Sequence, residues 1–217
     1  MSERFDDEAA AGYEAWYRTA QGRRADRLEK AALSQMLEAF PEARTVLEVG
    51  CGTAHFSRWL NAEGWMAAGL DISRPMLKHA RLLGGDRLVR GNAFGLPFAD
   101  GSFDLCMMVT TLEFLEHPGA AVAQALRVAH RGLVLGVLNC CSFLGIHRRL
   151  RGLFRETVYD DARFYSVRGL KRVIREAAPE ARVVRWATTL NPRYWPLGQQ
   201  SGRWGGFIAA AVGVAEE

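Results

Sequence analysis

The sequence predicts an α/β fold: a mostly parallel seven-stranded sheet flanked by helices, with an antiparallel strand at one edge. Three observations carry this. Short apolar runs alternate with helical patterns from residue 45 to residue 140. The first run ends in a glycine-rich turn, and two late apolar runs follow without a helix between them. Alternation of this kind builds βαβ units, whereas two strands joined by a loop can pair antiparallel.

The elements follow in order. Residues 23–39 set Leu28, Ala31, Ala32, Met36 and Leu37 near helical spacing, and Pro41 ends that helix. TVLEVG (45–50) reads as a buried parallel strand. A helix is expected over 54–62, a strand over 65–73 and a helix over 74–83 with Pro75 in its first turn. Strands are expected at 86–93 and 102–111, a helix at 119–129 and a strand at 132–140. The rhythm then breaks. Residues 141–166 are basic and aromatic, a helix resumes at 167–178, and strand-like runs occupy 181–190 and 207–215 with a Pro/Trp/Gly-rich loop between them.

Length and composition suit one domain over 1–217, with a helical cap at 1–40 and an insertion at 141–166 on the substrate side. The chain has 217 residues, enough to bury a core without staples. Cys51, Cys106, Cys140 and Cys141 lack C-x-x-C spacing, so no metal site is expected and reduced thiols are. A net charge of +4 is too mild to argue for nucleic acid. The N-terminus lacks the pattern of a secretory signal, and no apolar run reaches the ~18 residues of a membrane span. A cytoplasmic location is the expectation, and the oligomeric state is open.

The informative segment is VLEVGCGTAHFSRWL (46–60), where a strand runs through Gly50-Cys51-Gly52 into a helix. Glycine lets the backbone turn sharply and lets a ligand approach it, and a helix N-terminus offers free N–H groups. A dinucleotide loop wants G-x-G-x-x-G. Here Glu48 stands on the strand and Ala54 takes the third place. A carboxylate there suits a cationic amino-acid-like ligand and is unwelcome beside a pyrophosphate. Asp71 ends the second strand, where an acid can accept hydrogen bonds from both ribose hydroxyls; an N-cap for the next helix is its other reading.

At these residues the sequence resembles the class I S-adenosylmethionine-dependent methyltransferases, whose sheet is Rossmann-like. VLEVGCGTAHFS, AAGLDISRPML and GNAFGLPFADGSFDLCMMVTTLEFLEHP are similar to successive motifs of that family. The last is similar to the small-molecule branch that includes quinone-biosynthesis C-methyltransferases. The resemblance implies S-adenosylmethionine as cofactor. Gly50, Cys51 and Gly52 would line its methionine part, with Glu48 and His55 nearby. Asp71 would hold the ribose, Ile72 and Met76 would pack by the adenine, Asn92 and Ala93 would face the adenine edge, and Thr110 would lie by the transferable methyl. Two departures are Ala54, where glycine is usual, and Asn92, where aspartate is common.

A small-molecule methyl acceptor is expected to meet residues outside the sheet rhythm. Candidates are Tyr13, Trp16 and Tyr17, the stretch holding His147, Arg148 and Tyr165, and the loop with Tyr194. Arginines beside aromatics suit a flat anionic molecule, and a basic face also suits peripheral contact with anionic lipid. Candidate catalytic groups are Glu113 and His117. Transfer in line with the S–CH3 bond needs a base only for a protonated nucleophile. Two alternatives stand beside this reading: a non-catalytic binder of S-adenosylmethionine or its demethylated product, and an NAD-dependent oxidoreductase.

Overall fold

The computed structural model describes residues 5–141, 162–189 and 205–214. Seven strands form one sheet: β1 (Thr45–Val49), β2 (Met66–Asp71), β3 (Leu88–Arg90), β4 (Phe103–Val109), β5 (Ala129–Leu138), β6 (Arg182–Thr189) and β7 (Phe207–Gly213). Their order is β3-β2-β1-β4-β5-β7-β6. The first five pair in parallel. β7 alone runs antiparallel, inserted between β5 and the edge strand β6.

Four of the six described α-helices start where the sequence supplies a side-chain cap. In α1 (Asp7–Tyr17), Asp6 accepts from Ala9 N–H, and in α2 (Ala20–Leu37), Thr19 accepts from Gly22 N–H. α3 (His55–Ala62) follows the glycine turn. In α4 (Arg74–Leu82), Ser73 accepts from Met76 N–H and Pro75 lies in the first turn. α5 (Pro118–Val128) opens on proline, and α6 (Val167–Ala177) is capped by Ser166. A side-chain oxygen at these positions satisfies an N–H that the helix cannot.

The central strands β1, β4, β5 and β7 are buried on both faces because they are almost wholly apolar. β4 shows this best: Leu105, Met107 and Val109 pack toward α2 and α3, while Cys106 and Met108 pack toward α5 and α6. Successive strand residues point to opposite faces, so an unbroken apolar run is what a two-sided burial requires. The parallel strands all end on one edge, and the loops after β1, β2 and β4 meet there.

Two elements differ from the sequence reading. β3 has three residues where the apolar pattern suggested eight; its last position pairs with Asp71, and Asn92 already belongs to a turn with Gly95. The helix expected from residue 23 begins at Ala20, and α1 precedes it. α1 is short and only weakly amphipathic, with an exposed side facing solvent, so periodicity alone does not reveal it.

Candidate active site

The loops at the carboxyl edge line a cleft open to solvent on one side, with about 980 Å³ of empty space when its open mouth is included. Its floor is the glycine turn. Gly50 and Gly52 have φ of 77° and 53°, a region that costs an L side chain roughly 1–2 kcal/mol. Gly50 is fixed twice over, because a Cβ there would lie 2.3 Å from the Thr111 side chain. At Gly52 a Cβ would meet nothing nearer than Met76 Sδ at 4.0 Å. The turn is thus packed from behind at Gly50 and bare toward the cleft at Gly52. Ala54 shares the left-handed conformation, with φ of 58°. That explains why glycine suits the position and why an alanine there is tolerated at a cost.

Asp71 ties this turn to the end of β2. One carboxylate oxygen accepts from Gly52 N–H at 2.8 Å and the other from Ser73 N–H at 2.8 Å. Burial raises its pKa, against the lowering effect of those N–H groups. A carboxylate offers about four lone-pair directions, so each oxygen keeps capacity for a hydroxyl. Asp71, Ile72, Met76, Asn92 and Ala93 all line the cleft. The Asn92 amide oxygen accepts from Phe94 N–H at 3.0 Å, which fixes the side chain at the rim.

Glu48 lines the cleft too, and one of its carboxylate oxygens, Oε2, is held by the protein. It accepts from Ser57 N–H at 2.8 Å and from the Ser57 hydroxyl. This pins the first turn of α3 to β1. Glu48 is 2% exposed, and desolvation pushes its pKa up to about 7, partly offset by the two Ser57 hydrogen bonds.

The far wall comes from the end of β4. Thr110 has φ of 51°, an uncommon conformation for a β-branched residue. Its N–H donates to Gly136 O at 2.8 Å, which holds it there. The Thr111 hydroxyl lies 3.2 Å from Val49 O and 3.1 Å from Val109 O, locking β4 to the glycine turn. Sequence reasoning singled out Thr110 and missed Thr111; the close approach of Gly50 is the feature that requires it. Also missed were Phe5 and Phe114, which pack edge to face at 5.2 Å and complete the wall.

α1 closes one side. The Ser73 hydroxyl donates to Phe5 O at 2.6 Å. Glu14 accepts from the Thr53 hydroxyl at 2.6 Å and pairs with Arg58 at 3.1 Å. Tyr13 lines the cleft, and its hydroxyl lies 3.1 Å from that of Tyr17. Tyr17 instead stacks on His55, with ring centroids 3.8 Å apart, and Trp16 packs on the α2 side of the core. His55 is bonded to Asp26 at 2.7 Å. Burial lowers its pKa, opposed by that Asp26 bond.

The two catalytic candidates part company. His117 is exposed at the N-cap of α5. Glu113 is buried, 2% exposed, beside the end of β5. Its Oε1 accepts from Leu138 N–H at 2.6 Å, while its Oε2 is buried without a hydrogen-bond partner. Desolvation pushes its pKa up to about 8, against the Leu138 hydrogen bond, and the charge of Glu29 adds to the rise. Neither candidate is among the residues lining the cleft. Tyr165 is buried, and its hydroxyl donates to Leu112 O at 3.0 Å. His147, Arg148 and Tyr194 lie outside the described residues.

Residues 47–135 match the family model of the methyltransferase domain. A solved SAM-dependent methyltransferase from Thermotoga maritima is similar over 99% of this chain and 100% of its own, at 28% identity and a TM-score of 0.77.

The chain has the Rossmann-like fold of the S-adenosylmethionine-dependent methyltransferases.

The fold is shared more widely. The magnesium protoporphyrin IX methyltransferase of Synechocystis PCC 6803 has a TM-score of 0.70 over 99% of this chain and 98% of its own, at 18% identity. Among curated relatives, an uncharacterised protein of Mycobacterium tuberculosis is 34% identical over 172 residues. That alignment takes in 77% of this chain and 57% of the relative, so the chain spans little more than half of the relative's length.

Two predictions come from the carboxylates. Asp71→Ala removes the bridge between the turn and β2 together with two hydroxyl acceptors worth ~1 kcal/mol each. Affinity for S-adenosylhomocysteine, measured by isothermal titration, should fall at least about tenfold. Glu113 holds a proton more tightly folded than unfolded. It therefore leaves stability untouched below its unfolded pKa near 4.5 and lowers stability as pH rises toward about 8. Denaturant midpoints should fall between pH 7 and 8, and Glu113→Gln should flatten that fall while keeping an acceptor for Leu138 N–H.

Proposed function

We propose that this chain transfers the methyl group of S-adenosylmethionine directly to a small-molecule acceptor. The cleft supports the reading by the order of its walls. The bare face of Gly52 suits the amino-acid end of the cofactor, where a side chain would intrude. Asp71 suits the ribose, and Ile72, Met76, Asn92 and Ala93 suit the adenine, with an apolar face beside a polar edge. A diphosphate would meet two carboxylates, Glu48 and Asp71, at the cleft wall. That favours an adenosyl sulfonium over NAD.

The cofactor brings an activated methyl group, so the protein's task is placement. Asp71 fixes the turn, Thr111 holds β4 against it, and Thr110 is set at the point where the two walls meet. Holding acceptor and methyl in line is worth roughly 7–11 kcal/mol of barrier. Phe5, Phe114 and Tyr13 close the cleft from the α1 side and exclude water. Glu113 lies behind the wall rather than in it, which favours an acceptor that needs no side-chain base.

The relatives fit a small acceptor. The Thermotoga protein is described as a possible histamine N-methyltransferase, and the Synechocystis enzyme acts on magnesium protoporphyrin IX. Tyr13 and the segment 141–166 are the parts proposed to meet the acceptor. A location in the cytoplasm also belongs to this reading. Among the described residues no helix is long and apolar enough to cross a membrane.

Transfer of labelled methyl from S-adenosylmethionine to a panel of amines, phenols and aromatic acids tests this. At least one acceptor should be turned over, with release of S-adenosylhomocysteine. Tight cofactor binding without turnover on any acceptor would instead identify a binding protein, and binding of NAD alone would identify an oxidoreductase.

A further inference from the structure

The chain has four cysteines, and they divide into two kinds. Cys51 and Cys106 are buried, and desolvation raises both thiols well above their ordinary pKa. Cys140 and Cys141 follow β5 at the carboxyl edge of the sheet. Cys140 is half-buried, Cys141 is exposed, and their sulfurs stand 3.4 Å apart.

Their backbone is held from three directions. Cys140 N–H donates to Tyr165 O at 2.9 Å. Cys141 N–H donates to the Asn139 side-chain oxygen at 3.0 Å. The Asn139 amide in turn donates to Gly205 O at 2.7 Å, and Asn139 is itself buried. The two thiols are thus presented together by a fixed turn.

Such a pair could close on itself or hold something between its sulfurs. Closure is disfavoured by reach. Adjacent Cα atoms are ~3.8 Å apart across a trans peptide, whereas unstrained disulfides want ~4.4–6.8 Å. Chelation suits the spacing. With metal–sulfur bonds of ~2.3 Å, a linear ion would set its sulfurs ~4.6 Å apart, a tetrahedral ion ~3.8 Å, and a pyramidal centre with near-right angles ~3.3 Å. The observed 3.4 Å is nearest the last.

We propose that Cys140 and Cys141 form a dithiol site for a pyramidal, thiophilic trivalent metalloid, of the monosubstituted arsenical class. With an arsenoxide R–As=O, both S–H bonds break, two As–S bonds form and one water leaves; arsenic stays trivalent and nothing is oxidised. The site lies one strand from β4, whose end walls the cleft.

The test uses the reduced full chain with phenylarsine oxide and intact-mass detection. One adduct per chain should form, survive excess monothiol and be removed by 2,3-dimercaptopropanol. Cys140→Ser and Cys141→Ser should each raise the reagent concentration needed by at least about a hundredfold, while Cys106→Ser leaves it unchanged. Capping the accessible thiols of the native chain with methyl methanethiosulfonate should abolish the adduct without any substitution. An adduct that persists in either single variant or after capping, or no adduct with the native chain, would overturn the proposal.

Discussion

The cleft depends on one carboxylate held by two peptide N–H groups. Asp71 stands at the end of β2 and reaches both the glycine turn after β1 and the start of α4. Parallel strands β1 and β2 are in register up to Val49 and Leu70, so their loops leave the sheet side by side. Each loop would otherwise expose unsatisfied N–H groups in a partly buried place, which costs free energy comparable to a lost hydrogen bond. The carboxylate satisfies one from each loop and in doing so sets their spacing. What remains of its hydrogen-bonding capacity faces the cleft.

The other supports are arranged around that bridge. Glu48 ties β1 to α3 through Ser57, and Thr111 ties β4 to β1 through main-chain carbonyls. Between them sit Ala54 and Thr110 in left-handed conformations. Conformations of that sort persist only where the surroundings over-determine them. Both lie on the loops that form the cleft, with Thr110 lining it and Ala54 at the start of α3, so the strain and the site coincide. The packing of α1 over this arrangement, through Ser73, Thr53 and Arg58, makes the N-terminal segment part of the wall.

Much of this was legible in the sequence, because the informative features are local. A strand, a glycine turn and a helix occupy 15 consecutive residues, VLEVGCGTAHFSRWL, and the acid closing the next strand is found by counting. Strand rhythm gave the parallel half of the sheet, and the loop between the last two strands pointed to their antiparallel pairing. What was hidden depends on distant contacts. That Glu48 gives one oxygen to Ser57 is decided by how α3 seats on β1. That Glu113 is buried against Leu138 is decided by the neighbouring strand. The roles of Thr110 and Thr111 are set by how the chain turns after β4, with Thr110 left-handed and the Thr111 hydroxyl against the Val49 and Val109 carbonyls, which residue type does not reveal. The insertion of β7 between β5 and β6 is likewise a long-range pairing.

The central claim is that the bridge made by Asp71 frames a nucleoside. A crystal structure of the chain with S-adenosylhomocysteine tests it most directly. The account predicts both ribose hydroxyls within hydrogen-bond distance of the Asp71 carboxylate and the amino-acid end of the ligand over Gly52. A ligand bound elsewhere, or a diphosphate lying over Gly50 to Gly52, would contradict it.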